Sequence, residues 1–375
     1  MRKIIFLARS LGHGGAERQL ALLANRLAAA GREVAVAVFY PGGGLEAELD
    51  AGGVPVDSLV KRGRWDVVAF FIGLHRYVRA RGPAILHGYL PVPNVLAALL
   101  KMFIPGLRVV FGVRASNLDT GHYDRLSRWM FRLEKYLSRR ADLIIVNSRS
   151  GRDYHLRQGF PAAKLAVIPN GIDTERVRPE PEARAATRAA WGIAENTALI
   201  GLVGRLDPMK DHDTFLRAAA RFSRVRSEAR FVCLGGGAAA YRARLRAHAH
   251  ELSIADKINW LEPREDMPRV YPALDVLASS SAYGEGFSNV IGEAMACGVP
   301  CAVTDVGDSA WIVGDTGRVV PAGDPDALAA AWADLLERSP EQRAALAVRA
   351  RTRVVENFGV EALLRDTLAA LESLE

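Results

Sequence analysis

The sequence predicts an α/β protein built from two doubly wound domains, each with a parallel sheet. Two observations point there. Short apolar runs alternate with longer amphipathic stretches, as in residues 3–8, 16–30 and 33–39, which is the pattern of strand, helix and strand. The alternation then breaks at 175–195, a stretch rich in Pro, Glu, Arg and Ala, and starts again after it. A chain of 375 residues, half of them hydrophobic, is long enough for two cores. The expected division is a first domain over 1–174, a linker and lead-in helix over 175–195, a second domain over 196–357, and a C-terminal helix over 358–375 that is a candidate to cross back to the first domain.

The first domain opens with a strand at 3–8. The turn Leu11-Gly-His-Gly-Gly15 follows and leads into a helix with Leu20, Leu23 and Leu27 on one face. The turn does not have the spacing of a dinucleotide fingerprint, and the second strand ends at Tyr40-Pro41 without an acid to hold a ribose. Gly14 and Gly15 still allow a phosphate or sugar to approach the backbone closely. A helix is expected at 67–80, a strand at 84–86 ending at His87, a helix at 94–102, and a strand at 108–113 ending at Arg114 and, shortly after, Asn117. Ligands of open parallel sheets bind beyond the carboxyl ends of strands, which makes His87, Arg114 and Asn117 candidates for sugar or acceptor contacts. For His87 a packing role is an equal reading.

Residues 124–140 form a helical pattern of their own. Leu126, Met130, Leu133 and Leu137 repeat at helical spacing. Arg125, Arg128, Arg132, Lys135, Arg139 and Arg140 supply cations, and Trp129 and Tyr136 are interface-type aromatics. Such a helix suits an anionic membrane surface. It equally suits an ordinary packed helix whose Arg stems cover apolar neighbours. A strand at 142–146, a helix from 148 to 158 capped by Ser148, and the turn Pro169-Asn-Gly-Ile-Asp173 complete the domain.

In the second domain the strand at 198–203 runs into Gly204-Arg205-Leu-Asp-Pro-Met-Lys210 before a helix from 213. Arg205 and Lys210 thus flank one strand-to-helix loop, where a pyrophosphate would be a natural ligand: Arg binds oxygens by its fork, Lys as a point charge. A strand at 231–234 leads into Gly235-Gly-Gly237, and another at 257–261 ends at Glu262-Pro-Arg264. The stretch SSSAYGEGFSNVIGEAMACGVP, 279–300, follows the strand at 275–278. It places Glu285 in a glycine-rich turn at the start of a helix expected over 287–297, with Glu293 further along it. The free N–H groups of that end suit an anion or sugar hydroxyls.

Charge is uneven. Residues 1–180 hold 27 Lys and Arg against 15 Asp and Glu, a net of +12. The remainder holds 22 against 27, a net of −5, and the two sum to the +7 of the whole. The basic half calls for an anionic partner such as membrane lipid or a lipid-linked phosphate; nothing else in the chain supports nucleic acid. Cys233, Cys297 and Cys301 are too few for a disulfide framework and have no metal-ligand spacing, so they read as small buried apolar residues in a reducing compartment. The N-terminus reads as a strand, not a secretory leader. The longest apolar stretch, 92–113, is broken by Lys101, Pro105 and Arg108. A cytoplasmic chain, peripheral to the inner membrane face in one reading, is expected.

Four motifs together resemble family 4 of the retaining, nucleotide-sugar-dependent glycosyltransferases with the GT-B fold. They are Gly14-Gly15-Ala16-Glu17-Arg18, Asn170-Gly171-Ile172-Asp173, Gly204-Arg205 with Lys210, and Glu285-Gly286-Phe287 with Glu293-Ala-Met-Ala-Cys-Gly298. The resemblance spans essentially the whole chain. It implies two facing Rossmann-like domains with a deep interdomain cleft, a nucleoside-diphosphate sugar donor (UDP by default), and a lipid-linked or surface-polysaccharide acceptor. By it, Arg205 and Lys210 would hold the donor diphosphate and, with Glu285, act in catalysis. Gly286, Phe287 and Ser288 would position donor groups, Glu293 the ribose, Arg264 the base, and Gly14 and Gly15 the diphosphate or acceptor. Neither a metal nor a cofactor is implied, and no D-x-D pair is present. Many relatives carry a His where this chain has Val113-Arg114. The alternatives are a UDP-sugar 2-epimerase of the same fold, and a sugar-nucleotide-binding protein without turnover.

Overall fold

A computed structural model describes residues 2–12, 14–60, 63, 66–82, 84–114, 125–264 and 266–375. They divide into two units: Met1–Gly171 with Val360–Glu375, and Ile172–Gly359.

The first unit runs β1 (Lys3–Ala8), α1 (Gly15–Ala29), β2 (Val34–Val38), α2 (Glu46–Ala51), β3 (Val56–Ser58), α3 (Val68–Ala80), β4 (Ala84–Tyr89), α4 (Pro91–Leu100), β5 (Arg108–Val113), α5 (Arg125–Leu137), β6 (Leu143–Val146), α6 (Arg149–Gln158) and β7 (Leu165–Val167). Its sheet has the order β3-β2-β1-β4-β5-β6-β7, with every pair parallel. Side chains alternate across the strands, as the pleat requires. Ile5, Leu7, Leu86, Val109 and Phe111 point to one face, under α3, α4, α5 and α6. Ile4, Phe6, Val36, Ile85 and Val110 point to the other, under α1 and α2. Both faces are covered, so the strands read as continuous apolar runs.

The second unit contains α7 (Pro181–Ala190), β8 (Leu199–Val203), α8 (His212–Val225), β9 (Arg230–Leu234), α9 (Ala239–Glu251), β10 (Ile258–Leu261), α10 (Met267–Val270), β11 (Val276–Ser279), α11 (Asn289–Ala296), β12 (Cys301–Thr304), α12 (Ser309–Val313), β13 (Arg318–Val320), α13 (Pro325–Leu336) and α14 (Pro340–Phe358). Its sheet is again parallel, in the order β10-β9-β8-β11-β12-β13. Trp332 of α13 is fully buried against Phe215, Phe222 and Phe231 on one face. Ile291 and Met295 of α11 and Phe358 of α14 fill the other.

The final helix, α15 (Val360–Glu372), belongs to the first unit. Its Leu363 and Leu371 are buried in the same cluster as Leu20 and Leu27 of α1. Arg32 pairs with Glu375, and Arg108 Nε donates to the Leu374 carbonyl at 3.1 Å.

Local chemistry accounts for the helix ends. The Ser148 side chain accepts from the Gly151 N–H at 3.0 Å to start α6, and Gly159, in the left-handed region, ends it. Ser339 and Gln342 form a capping box ahead of α14, with Pro340 at its first position. Several boundaries differ from expectation: the strand expected at 84–86 runs on to Tyr89, which puts His87 inside it, and the helix expected at 94–102 spans Pro91–Leu100. The basic helix stops at Leu137, and 138–140 form a separate 3-10 turn. The helix expected over 287–297 begins two residues later, because the Phe287 side chain turns into the core against Phe358. Strand β3 and helix α2 are additions, too short for their periodicity to stand out in the sequence. Among the described residues no helix is long and apolar enough to cross a membrane. The three cysteines are buried and unpaired.

Candidate functional site

Most of the predicted site residues belong to the second unit, and Lys210, Glu285 and Ser288 come together there, where β8 and β11 lie side by side. Beyond β8, the loop 204–211 is pinned to the loop beyond β11. The Ala282 N–H donates to the Met209 carbonyl at 2.9 Å, and Ser280 Oγ donates to the carbonyls of Lys210 and Asp211 at 2.8 and 3.0 Å. Asp211 adopts a left-handed backbone (φ 45°), which Asp tolerates because its side chain bonds locally. Here it caps α8, accepting from the Thr214 N–H at 3.1 Å. The loop thereby directs Lys210 onto Glu285, and the two form an ion pair. Ser281 Oγ donates to the same Glu285 oxygen at 2.6 Å.

Glu285 is buried, so this pair and its hydroxyl partner are held within the protein's framework. Beneath it lies Gly307, at φ 63°, where a Cβ would fall 2.3 Å from the Glu285 carbonyl oxygen. Only glycine fits there on both counts. Arg205 is exposed, one residue after Gly204, and forms no hydrogen bond or ion pair with any described residue. A small cavity of about 10 Å³ lies among Lys210, Ser279, Ser280, Ser281 and Ser288, room for about one water molecule. Gly235 approaches the next turn so closely that a Cβ would sit 1.9 Å from the Gly204 carbonyl oxygen, so two glycine turns meet at this edge.

Glu293 lies on α11 and accepts a hydrogen bond from the Tyr271 hydroxyl. Ser288 precedes α11 and is buried, and its side chain does not cap the helix. Phe287 presents only its backbone, since its side chain is in the core. Arg264 is exposed and grips Asp266 with two bonds, Nε to Oδ1 at 2.7 Å and Nη2 to Oδ2 at 2.6 Å, and that carboxylate holds its pKa above the ordinary arginine value. In this arrangement its fork is occupied by a neighbour.

In the first unit a cavity of about 280 Å³ opens where β1 ends and α1 begins. Arg9, Ser10, Glu17, Tyr40, Tyr89 and Leu90 are among its walls. Gly14 and Gly15 stand beside it, exposed, at the start of α1. The Glu17 carboxylate folds back over Gly14, where a Cβ would fall 2.2 Å from Glu17 Oε2. Leu90 has φ 74° and ψ 168°, a region essentially reserved for glycine. That conformation is held by the Leu90 N–H donating to the Gly112 carbonyl at 3.0 Å and by the Leu90 carbonyl accepting from the Asn94 N–H at 3.1 Å.

His87 and Arg114 do not present themselves to this cavity. The His87 ring is fully buried between Phe6 and Tyr89, and neither nitrogen has a hydrogen-bond partner among the described residues. Burial first, and the Arg114 cation second, lower its pKa to about 3. Its ring packs inside the sheet, because β4 runs on to Tyr89 instead of ending at His87. Arg114 is an internal strut: Nη2 donates to the Tyr89 hydroxyl at 2.7 Å, and Nη1 to Asn170 Oδ1 at 2.8 Å. Asn117 lies outside the described residues. Tyr89, Tyr271 and Ser281 are contributors that sequence reasoning missed. Each acts through a partner distant in the chain or through a serine among several, and neither feature marks a residue in a bare sequence.

Two units, each a parallel sheet with helices on both faces, have the architecture of the GT-B fold class. The family comparisons agree. Residues 13–176 match the model described as Glycosyltransferase Family 4, and residues 197–338 match Glycosyl transferases group 1. The chain belongs to this family, the group 1 glycosyltransferases of family 4. It is 32% identical over 228 residues to the GDP-mannose-dependent alpha-(1-6)-phosphatidylinositol monomannoside mannosyltransferase of Mycolicibacterium smegmatis, covering 58% of this chain and 59% of that one. It is 37% identical over 206 residues to a D-inositol 3-phosphate glycosyltransferase of Mycobacterium sp. strain KMS, covering 53% and 46%. The chain thus spans about half the length of the curated relatives it matches. Among solved structures, Anabaena HepE in complex with UDP superposes with a TM-score of 0.87 at 24% identity, over 99% of this chain and 100% of that one.

Proposed function

We propose that this chain transfers a sugar from a nucleoside-diphosphate donor to a hydroxyl of a lipid-linked or glycan acceptor, with retention at the anomeric carbon. The observation that carries this reading is the buried Glu285 held by Lys210 and Ser281, with exposed Arg205 on the same loop as Lys210. One cation on the carboxylate and a second, exposed, on the same loop suit a diphosphate next to a sugar. When the bond between the sugar C1 and the phosphate oxygen breaks, the electron pair leaves with the phosphate. Arg205 and Lys210 offset that charge. The acceptor oxygen bonds to C1 from the same face, and its proton passes to the departing phosphate oxygen. Glu285, released from Lys210 by the incoming diphosphate, accepts from a sugar hydroxyl, and Glu293 accepts from the ribose. The cavity beside Gly14, with Arg9, Glu17 and Tyr40 in its walls, suits a polyhydroxylated acceptor.

The names of similar proteins support a diphosphate donor and divide on its base: GDP-mannose for the Mycolicibacterium enzyme, UDP for HepE. A thermal-shift panel of UDP, GDP and NAD tests the reading, since a ligand bound only by the folded state raises the melting temperature. The expected result is a shift with UDP or GDP and none with NAD. The shift should disappear in Arg205→Ala and Lys210→Ala and persist in Arg114→Ala. A shift with NAD alone, or one that survives both unit-two substitutions, would remove the diphosphate assignment.

A further inference from the structure

A short chain of buried polar groups leads from α5 to the cavity of the first unit. It begins at Glu134, which is 1% exposed. Glu134 Oε1 accepts from Asn94 Nδ2 at 2.7 Å, and Asn94, on α4, is itself fully buried. The same amide clamps β5: Nδ2 also donates to the Gly112 carbonyl at 3.2 Å, and Oδ1 accepts from the Gly112 N–H at 3.3 Å. The backbone carries the link onward. The Leu90 N–H donates to that Gly112 carbonyl at 3.0 Å, and the Asn94 N–H donates to the Leu90 carbonyl at 3.1 Å. Leu90, at φ 74° and ψ 168°, is one of the cavity's walls. The clamp needs glycine on both strands. A Cβ on Gly88 would lie 2.6 Å from Asn94 Oδ1, and one on Gly112 would lie 2.8 Å from the Gly88 carbonyl oxygen.

A leucine in a backbone region reserved for glycine persists only where its surroundings hold it there, and such strain clusters at ligand sites. Burying a carboxyl is unfavourable as well. The two are joined through one amide. An ionised carboxylate can only accept, so it fixes which end of the Asn94 side chain faces α5 and which faces Gly112. A neutral carboxyl has a proton to donate, and Asn94, its hydrogen-bond partner, offers Oδ1. Turning the amide to take that proton would set Nδ2 against the Gly112 N–H, donor against donor, and release the bond that Oδ1 now accepts.

We infer that Glu134 and Asn94 are positioning residues for the cavity: the ionised carboxylate orients the amide, and the amide holds Leu90 in the wall that an acceptor would meet. The inference rests on the reading of that cavity as the acceptor site. Helix α4 carries no titratable group of its own, and Lys101 just after it, like Arg108 at the start of β5, pairs with Asp142. From α6, Tyr154 and His155 pack against Phe131, and His155 Nδ1 donates to the Gly151 carbonyl at 2.7 Å while burial holds its pKa below the ordinary value. After β5, Arg114 is engaged by Tyr89 and Asn170, and on β4 His87 is lowered to about 3. On α5 itself the neighbours Arg132 and Lys135 are exposed. Burial brings Glu134 to about 7, above the range left to either histidine.

Methyl NMR of the full chain, carbon-13-labelled at leucine, tests it, with neither nucleotide nor acceptor present. The Leu90 signals are identified by their loss in Leu90→Ile. In the parent they should move as pH is lowered from 8 to 6, with a midpoint near 7, while those of Leu202 and Leu277 in the second unit stay in place. In Glu134→Gln, which keeps an acceptor oxygen for Asn94 and has no proton to gain, they should remain at the parent's pH 8 positions throughout. In Glu134→Leu and in Asn94→Ala they should be displaced at every pH, and circular dichroism melts identify the variants that are folded. Leu90 signals that ignore pH in the parent, that still titrate in Glu134→Gln, or that keep the parent's positions in a folded Asn94→Ala would overturn the proposal. The donor is scored separately, by the thermal shift with UDP or GDP. A parent whose Leu90 titrates through Glu134 but that binds neither nucleotide keeps this coupling and removes the transferase reading. A parent that binds one of them while Leu90 ignores pH does the reverse.

Discussion

At the scale of single residues, Lys210, Glu285 and Ser281 form a unit in which Lys210 and Ser281 both donate to the carboxylate before any ligand arrives. Glu285→Gln removes the charge that holds Lys210 and keeps the shape. Nucleotide affinity should then be retained or improved, because Lys210 is freed for phosphate. On the proposed function, turnover should fall on the order of a hundredfold, because the sugar would lose a hydrogen-bond acceptor in the transition state. Isothermal titration with the nucleotide and initial rates on the same preparation separate the two effects. Equal losses in both would show that Glu285 acts only in binding.

Glu134 is a second informative residue. It is buried, accepts from Asn94 Nδ2 at 2.7 Å, and burial raises its pKa from 4.5 to about 7 despite that bond. Below pH 4.5 the carboxyl is neutral both folded and unfolded. As pH rises towards 7 and beyond, the unfolded chain loses this proton before the folded one does, so stability contributed by Glu134 is lost. Glu134→Gln has no such proton. Its unfolding midpoint in urea should match the parent near pH 5 more closely than at pH 8, where the variant should be the more stable of the two. His87, lowered to about 3, acts in the opposite sense. Its contribution is complete above pH 6.5 and declines as pH falls from there towards 3, in parent and variant alike.

At the scale of elements, α7 shows how a helix is tied to a sheet by charge. Arg184 and Arg188 both reach Asp275, just before β11, at 2.8 and 2.7 Å, and the Leu199 N–H at the start of β8 donates to the same carboxylate at 2.8 Å. Arg188 is buried, so Asp275→Ala strands a cation and should cost on the order of 3 kcal/mol in urea unfolding. Asp275→Asn, which keeps an acceptor for the strand, should cost less. Most of the elements were legible in the sequence. The parallel strands are apolar runs, the glycine turns punctuate them, and Ser148 announces its helix. The site was legible in part. Arg205, Lys210, Glu285 and Glu293 stand on the expected loops and helix because the motif spacing specifies the local fold. What stayed hidden depends on contacts between distant positions. A Glu on a basic helix reads as solvated, yet Glu134 is inside. Arg114 reads as a free cation at a strand end, yet Tyr89 and Asn170 hold both of its amino groups. The partner that steadies Glu293 lies 22 residues away at Tyr271.

At the scale of the whole molecule, the last helix completes the first unit. Leu363 and Leu371 fill the layer above α1, and Gly171 leaves no room for a side chain: a Cβ there would lie 2.8 Å from Leu363 Cδ2. A chain shortened to residues 1–359 should therefore lose much of the first unit's stability and keep that of the second. Differential scanning calorimetry should show one transition lowered and one retained, and a chain whose two transitions are both unchanged would contradict this.

Synthesis proceeds in one direction, and the packing of α15 on α1 does not respect it. The residues of the second unit, 172–359, leave the ribosome before the helix that covers Leu20 and Leu27 exists, which at about 5–20 residues per second is a delay of roughly ten to forty seconds. During that interval the nascent chain carries an uncovered apolar strip on α1, so of these two units the one whose synthesis starts earlier is completed later.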